Sequence, residues 1–268
     1  MWVCETCGVE HAEAVGTCAI CADERQWVPA DGQAWATLEE LARSGRRLEL
    51  SELEADLFGI TAEPKVGIGQ QTHLVRTAAG SLLWDPVGYV DEDAAARVLE
   101  LGAVTAIAAS HPHMFGVQVE WSRALGGVPV LVSEADAGWV QRPDAAITTW
   151  SGRHEVAPGL TLHQIGGHFP GSSVVHWNAG AGGRGVLLVS DTVHANPDGA
   201  TVTFLRSYPN RIPLSPAVVE RITEALTRLP FERLYDNFGR RVDDGAAAVR
   251  RSAKRYCGWA RGEFDDLT

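Results

Sequence analysis

The sequence lacks any apolar run approaching the roughly 18 residues that a membrane span requires, and its opening Met1-Trp2-Val3-Cys4 is not a basic region followed by an apolar stretch. A membrane is therefore not an expected partner, and the cytoplasm is the expected compartment. Positive charge is also short: a formal net charge of −11 leaves no basic stripe to neutralise phosphates, so nucleic acid is not an expected partner either. Cysteine is scarce beyond the first 21 residues, where only Cys257 stands, which excludes a disulfide framework spread over the fold. Repeats of fixed short period and low-complexity tails are missing as well. What is present is 268 residues with 45% hydrophobic content, enough for one large domain, or a modest one with an appendage, around a proper core.

The four remaining cysteines are concentrated. Cys4-Glu-Thr-Cys7 and Cys18-Ala-Ile-Cys21 are two Cys-x-x-Cys pairs ten residues apart, and each can present two thiolates to one tetrahedral ion. A segment of this length cannot build an apolar core of its own and would draw its folding energy from a metal. Residues 1–30 are thus expected to form a small zinc-ribbon-like knuckle with a structural zinc at Cys4, Cys7, Cys18 and Cys21. The other reading is two redox-active or simply free thiol pairs. Cys257 reads as a partly buried small side chain.

Residues 31–64 read as a helical connector, with helical stretches at Trp35 to Arg43 and Leu50 to Leu57 from the spacing of their leucines. From residue 65 to 268 strands and helices alternate. Val66 to Asp85 reads as a hairpin turning at Ala79-Gly80, Asp91 to Gly102 as an amphipathic helix, and Val104 to Ser110 as a buried strand running into His111-Pro-His113. Helices are expected at Phe115 to Leu125, Glu134 to Val140, Pro216 to Leu229 and Ala246 to Gly258. Strands are expected at Val128 to Val132, Thr161 to Ile165, Ser173 to Trp177 and Val186 to Ser190. Such interleaving implies a layered α/β domain, sheets inside and helices outside.

Four polar residues fall at the ends of these strands, where layered folds keep their sites. His111 and His113 follow the strand ending at Ser110, His168 sits in Gly166-Gly-His-Phe-Pro-Gly171, and Asp191 follows Ser190. A His-x-His pair lets two imidazoles converge on one ion, and Pro112 stiffens the turn between them. Any single histidine among the nine is ordinarily a surface or hydrogen-bonded residue, so the signal is the ordered set of strand ends.

On these residues the chain resembles the metallo-β-lactamase superfamily, over roughly Val66 to Arg255: the hairpin ending in Trp84-Asp85, the segment Ser110-His111-Pro112-His113, the Gly166-Gly167-His168 turn and Ser190-Asp191-Thr192. Within it the chain is similar to a bacterial subgroup that joins a cysteine knuckle to a domain carrying Ser-His-Pro-His, with Asp23-Glu-Arg-Gln26 just after the knuckle. The resemblance implies a four-layer αββα sandwich. It also implies one metal held by His111, His113 and His168, with Asp191 completing the site. The family pattern His-x-His-x-Asp-His departs here, since Phe115 and Gly116 stand where the second metal's Asp and His belong. A further histidine expected within Leu234 to Arg241 is missing too, so a single-metal site is implied.

The expected activity is hydrolysis of a small ester, thioester, lactone or amide by metal-bound hydroxide, with Asp191 positioning the water and His194 as a second catalytic candidate. Zinc is the expected ion, with iron or manganese compatible with the same donors. Candidate neighbours are Glu120, as an orienting carboxylate or a solvated helix face, and Trp139, Arg142 and Tyr208 as cleft residues. His73 reads as structural. The partner expected is a small-molecule substrate, with a homodimer left open. Loss of the second site leaves two alternatives: a non-hydrolytic metal-binding scaffold, and an iron-dependent redox variant.

Overall fold

The structure is a computed structural model describing residues 1–268. Its N-terminal residues build a three-stranded sheet in which β1 (Trp2–Cys4) lies between β2 (Glu10–His11) and β3 (Trp35–Ala36), with one turn of helix α1 (Ala19–Ala22) beside it. Helix α2 (Leu38–Arg43) starts at a capping box: Thr37 Oγ1 accepts from the Glu40 amide, and the Glu40 carboxylate accepts from the Thr37 amide. The expected helix from Trp35 is shorter than read, because Trp35 and Ala36 pair with β1.

The second expected helix, Leu50 to Leu57, does not exist. Arg47–Glu54 is strand β4 and Leu57–Glu63 is strand β5, paired antiparallel. Residues 47–63 therefore belong to a sheet, and the helical connector is corrected to one short helix followed by a hairpin. That sheet continues through β6 (Thr72–Thr77), β7 (Gly80–Trp84), β8 (Val104–Ala108), β9 (Val130–Ser133) and β10 (Ile147–Trp150), in the spatial order β10-β9-β8-β7-β6-β5-β4. Helices α3 (Glu92–Leu101) and α4 (Gln118–Ala124) follow β7 and β8. The Asp91 carboxylate accepts from the Ala94 amide at 2.7 Å and so starts α3.

A second sheet contains β11 (Arg153–Ala157), β12 (Leu160–Gln164) and β13 (Ser173–Trp177). A turn labelled α5 (Gly180–Gly183) leads to β14 (Val186–Leu188). Two ribbons come next, β15 (His194–Ala195) with β16 (Val202–Thr203), and β17 (Leu205–Ser207) with β18 (Ile212–Pro213). Helix α6 (Pro216–Thr227), strands β19 (Arg233–Tyr235) and β20 (Arg241–Val242), and helix α7 (Gly245–Ala260) complete the chain's large elements. The order in this sheet is β11-β12-β13-β14-β19-β20.

Strand periodicity sorts the apolar residues into layers. Leu82 and Trp84 on β7, Ala106 and Ala108 on β8, Val175 on β13 and Leu188 on β14 meet in one cluster between the sheets. Their alternates on the first sheet, Leu83 and Ile107, pack outward under Val98 of α3 and Trp121 of α4. Val174 and Leu187 on the second sheet pack outward under Ile222 of α6 and Val249 of α7. The result is the four-layer αββα sandwich expected from the sequence.

The outer layer of the first sheet also takes in the knuckle: Cys4, Cys7, Cys18, Cys21 and Ile20 share one buried cluster with Leu83 and Trp121. Two backbones come close enough there that a Cβ on Gly67 would lie 2.4 Å from the Gly8 nitrogen.

Candidate metal centre

The ligand candidates are delivered from both sheets to one edge of the sandwich. Asp85 follows β7, and its Oδ1 accepts from the Ser110 amide at 2.7 Å, turning the chain out of β8 into His111. Pro112–Met114 forms a single 3₁₀ turn carrying His113. From the second sheet, His168 lies in the turn between β12 and β13, and Asp191 in a 3₁₀ turn over Ser190–Thr192 after β14. The expected strand to Ser190 stops at Leu188, and Ser190 takes a left-handed φ of 47°. Ser110 ties the two sheets together here. Its carbonyl accepts from the Ser173 amide at 3.0 Å and its hydroxyl donates to Ser190 Oγ at 2.8 Å.

His111, His113, His168 and Asp191 converge, all buried. The three imidazole centroids lie 4.7 to 5.1 Å apart. Asp191 Oδ2 is 3.5 Å from His111 Nε2 and 3.8 Å from His168 Nε2, and His113 Nδ1 is 3.3 Å from His168 Nε2. Two of the three outward nitrogens are held by protein groups: His111 Nδ1 meets Ser110 Oγ at 2.8 Å and His168 Nδ1 meets the Leu205 carbonyl at 3.3 Å, while His113 Nε2 has no partner. A carbonyl can only accept, so His168 carries its proton on Nδ1 and turns an Nε2 lone pair inward.

Electrostatics agree with a cation's place. Burial, with His111 beside it, drives His113 well below the ordinary histidine range, and burial takes His168 to about 3, so both rings are neutral. Burial would raise Asp191, but the nearby rings of His111 and His194 outweigh it and hold the carboxyl well below its usual range. His111 Nε2 and Asp191 Oδ1 are buried without a hydrogen-bond partner. Neutral imidazoles, an ionised carboxylate and unused buried lone pairs fit a divalent ion.

One side of the cluster is sealed by Phe169, whose ring lies 4.9 to 5.6 Å from the three histidine rings. Trp139 packs edge-on against Phe169 at 5.6 Å. The other side opens into a cavity of about 280 Å³ lined by Asp191, His194, Tyr208, Phe238, Arg240 and Trp27, among others. His194 Nδ1 is 3.7 Å from Asp191 Oδ1, and Arg240 Nη1 is 2.9 Å from His194 Nε2. The Tyr208 hydroxyl donates to the Asp191 carbonyl at 3.2 Å.

Other candidates lie elsewhere. Glu120 pairs with Arg123 and Arg142, at 2.9 and 2.7 Å, and orients no ligand. Arg142 is drawn to Glu10 at 2.7 Å. His73 is buried on β6, 6.3 Å from the ring of Tyr235. Cys257 is buried, with its sulfur 3.7 Å from the Pro216 carbonyl.

The second-metal positions are filled by other chemistry. Phe115 is core, and Gly116 has φ 50° with Pro86 O only 1.9 Å from where a Cβ would stand, so a histidine cannot occupy it. At the end of β19, where a histidine is missing, the sequence reading passed over Asp236. This carboxylate is fully buried, with Oδ1 capping the amides of Phe238 and Arg240 and Oδ2 3.6 Å from His194 Nε2.

The cysteine cluster is the second candidate centre. Cys4 and Cys21 sulfurs are 3.6 Å apart and Cys7 and Cys18 sulfurs 3.8 Å apart, all buried. Hydrogen bonds from Cys21, Cys4 and Cys7 drive the Cys18 thiol far down, while Cys18, Cys21 and Cys4 push Cys7 well up. Four crowded sulfurs cannot all ionise without a cation among them. His11 Nε2, 3.3 Å from Cys18, and Gln33 Nε2, 2.9 Å from Cys4, approach the sulfurs from outside and were not singled out from sequence.

No protein-family model matches the chain. Among solved structures it is similar to DIM-1 metallo-beta-lactamase, with a TM-score of 0.59 and 12% identity, covering 78% of this chain and 97% of that one. It is also similar to the metal-soaked Flv1 flavodiiron core from Synechocystis sp. PCC6803, with a TM-score of 0.54 and 13% identity over 80% of this chain and 61% of that one. The class defined by layers and site is the metallo-β-lactamase fold. In sequence the chain is 42% identical over 261 residues to "Uncharacterized protein YmaE" of Bacillus subtilis (strain 168), 95% of each chain, and it belongs to the same family.

Proposed function

We propose that this protein is a hydrolase that uses one metal ion, held by His111, His113, His168 and Asp191, to cleave a small ester, thioester, lactone or amide. The observation that carries this reading is the convergence of three imidazoles and one carboxylate, with unused buried lone pairs, beside a cavity that Asp191 lines. When bound, the ion would polarise the substrate carbonyl and acidify a water. Ser110 Oγ and the Leu205 carbonyl hold His111 and His168 in register for it. Arg240 only donates, so His194 Nε2 accepts and the ring proton sits on Nδ1, facing Asp191 Oδ1. His194 would thus steady the carboxylate of Asp191, which would complete the site and position the water. A cavity of about 280 Å³ suits a compact substrate.

Zinc is proposed at both centres, with iron or manganese as occupants of the His/Asp one. The flavodiiron likeness and the metallo-beta-lactamase likeness share one fold, which therefore does not select the ion. The cytoplasm is the proposed setting, since buried reduced thiols suit a reducing compartment. No helix is long and apolar enough to cross a membrane. The competing reading, a metal-binding scaffold, draws on Phe115 and Gly116 in place of second-site ligands.

Metal analysis and a substrate panel separate the two readings. Two equivalents per chain and turnover that falls at least 100-fold in His168→Ala, with metal content dropping to one equivalent, are expected. Turnover by metal-free protein would rule the mechanism out, and a wild-type chain that holds a single equivalent, unchanged in His168→Ala and His111→Ala, would favour the scaffold.

A further inference from the structure

The knuckle grips both loops that carry the histidines. From β2, the Glu10 amide donates to the Gly116 carbonyl at 2.9 Å, and Glu10 Oε1 accepts from the Val119 amide at 2.7 Å, at the start of α4. These contacts fix the chain just beyond His111 and His113. From the other end of the knuckle, Asp23 follows α1, the helix that bears Cys21, and its two carboxylate oxygens hold Arg25 Nε and Nη2 at 2.5 and 2.9 Å. The remaining guanidinium nitrogen, Nη1, donates to the backbone carbonyl of His168 at 3.2 Å. The guanidinium carbon lies 3.6 Å from the centre of the Phe169 ring, the same ring that seals the three histidines.

Arg25 is nevertheless a residue of the knuckle's exit. Its side chain is only 8% exposed, and its carbonyl is held by the Ser207 hydroxyl. A planar fork between Asp23 and a carbonyl, stacked on an aromatic face, is a task that a lysine cannot fully perform.

We propose that Arg25 is a positioning residue of the His/Asp centre, supplied by the cysteine cluster, so that metal at the four cysteines sets how tightly the His/Asp centre holds its own ion. The proposal rests on the reading of His111, His113, His168 and Asp191 as a metal site. Four sulfurs drawn onto one ion fix α1, α1 fixes Asp23, Asp23 aims Arg25, and Arg25 sets the backbone of His168 and the wall beside all three rings.

The test is cobalt(II) loading of the full chain, because thiolate-bound cobalt gives an intense near-ultraviolet charge-transfer band along with visible bands of its own, so the visible band of the His/Asp centre is read as the absorption that a second equivalent adds without charge-transfer intensity. Competition with a chelator reads the affinity of each site separately. Arg25→Met is expected to leave the thiolate band unchanged, shift the visible band and weaken the His/Asp centre about 10- to 100-fold, the range for outer partners of metal ligands. Arg25→Lys should recover part of that loss. Cys21→Ser should weaken the His/Asp centre by a similar factor although it touches none of its ligands; should that chain not fold, the Arg25 pair decides. An Arg25→Met protein with wild-type visible band and affinity overturns the proposal. Loss of both bands together also overturns it, by assigning Arg25 to general packing. Wild-type protein that shows the thiolate band alone overturns the metal reading and the proposal together, whereas two wild-type bands with a silent Arg25→Met overturn the proposal only.

Discussion

The two four-ligand clusters are built on opposite plans. The cysteine cluster draws its donors from Cys4 to Cys21, a single short stretch, and closes over them, with His11 and Gln33 against the sulfurs. The His/Asp cluster draws on residues 111 to 191, from the edges of two sheets, and stays open on one side to a cavity beside Asp191 and His194. A closed site spends its ligands on folding, while an open one keeps room for a reacting molecule. The difference also separates what each owes to the fold. The first can assemble from local chain and a metal; the second exists only once the sheets have docked.

The largest effect that would sharpen this contrast is on stability. Cys18→Ser removes one sulfur from a cluster continuous with the Leu83 and Trp121 core, and is expected to cost roughly 4 kcal/mol or more. His111→Ala should cost much less in metal-free protein, because its ring is one of three imidazoles crowded there without an ion. Thermal unfolding of both variants with and without chelator checks the order. Equal losses would show that the two clusters do not divide into structural and reactive sites.

The contrast also predicts that the missing second site cannot be restored by motif repair. Gly116→His would place a side chain where Pro86 O lies 1.9 Å from the Cβ position, on a backbone at φ 50°. Strain and overpacking together should cost roughly 3–5 kcal/mol, read as a fall in denaturant midpoint, with no gain of a metal equivalent. A stable Gly116→His chain that binds one more ion would break the one-metal reading.

How much of this was readable from sequence follows the same division. The knuckle's ligands show themselves because Cys-x-x-Cys spacing is a local geometric statement, and the layers follow from strands such as Ser81-Leu-Leu-Trp84 meeting helices such as Glu92–Leu101. His111, His113, His168 and Asp191 were visible as polar residues at strand ends. The hairpin at 47–63 was misread because β4 pairs with a register shift between Glu52 and Glu54, which breaks the two-residue alternation and leaves Leu50, Leu53 and Leu57 at helix-like intervals. Arg25 was visible only as part of Asp23-Glu-Arg-Gln26, with no role attached, and Asp236 was passed over, both for a different reason. Their importance lies in contacts to His168 and His194, distant in sequence, and no spacing near either residue announces them.

A third set of unpartnered imidazole atoms supplies the smallest and most selective test of what makes a metal centre. His73 is buried on β6, and neither of its ring nitrogens has a hydrogen-bond partner, as at His111 Nε2, yet no second ligand converges on it. Burial takes it down to about 4 from an ordinary value of 6.5, so the folded chain keeps it neutral while the unfolded chain would protonate it. The sign follows: its contribution is fully present above about pH 6.5, declines as the unfolded state takes up the proton, and is lost by about pH 4, where the folded state titrates as well. Integrated over that window the loss is of order 3 kcal/mol. His73→Leu should flatten this part of the acid limb of stability against pH while leaving both metal equivalents in place. A metal equivalent lost with His73 would mean that an unpartnered buried imidazole alone recruits an ion here, and the converging carboxylate of Asp191 would cease to be what distinguishes the open centre from the core.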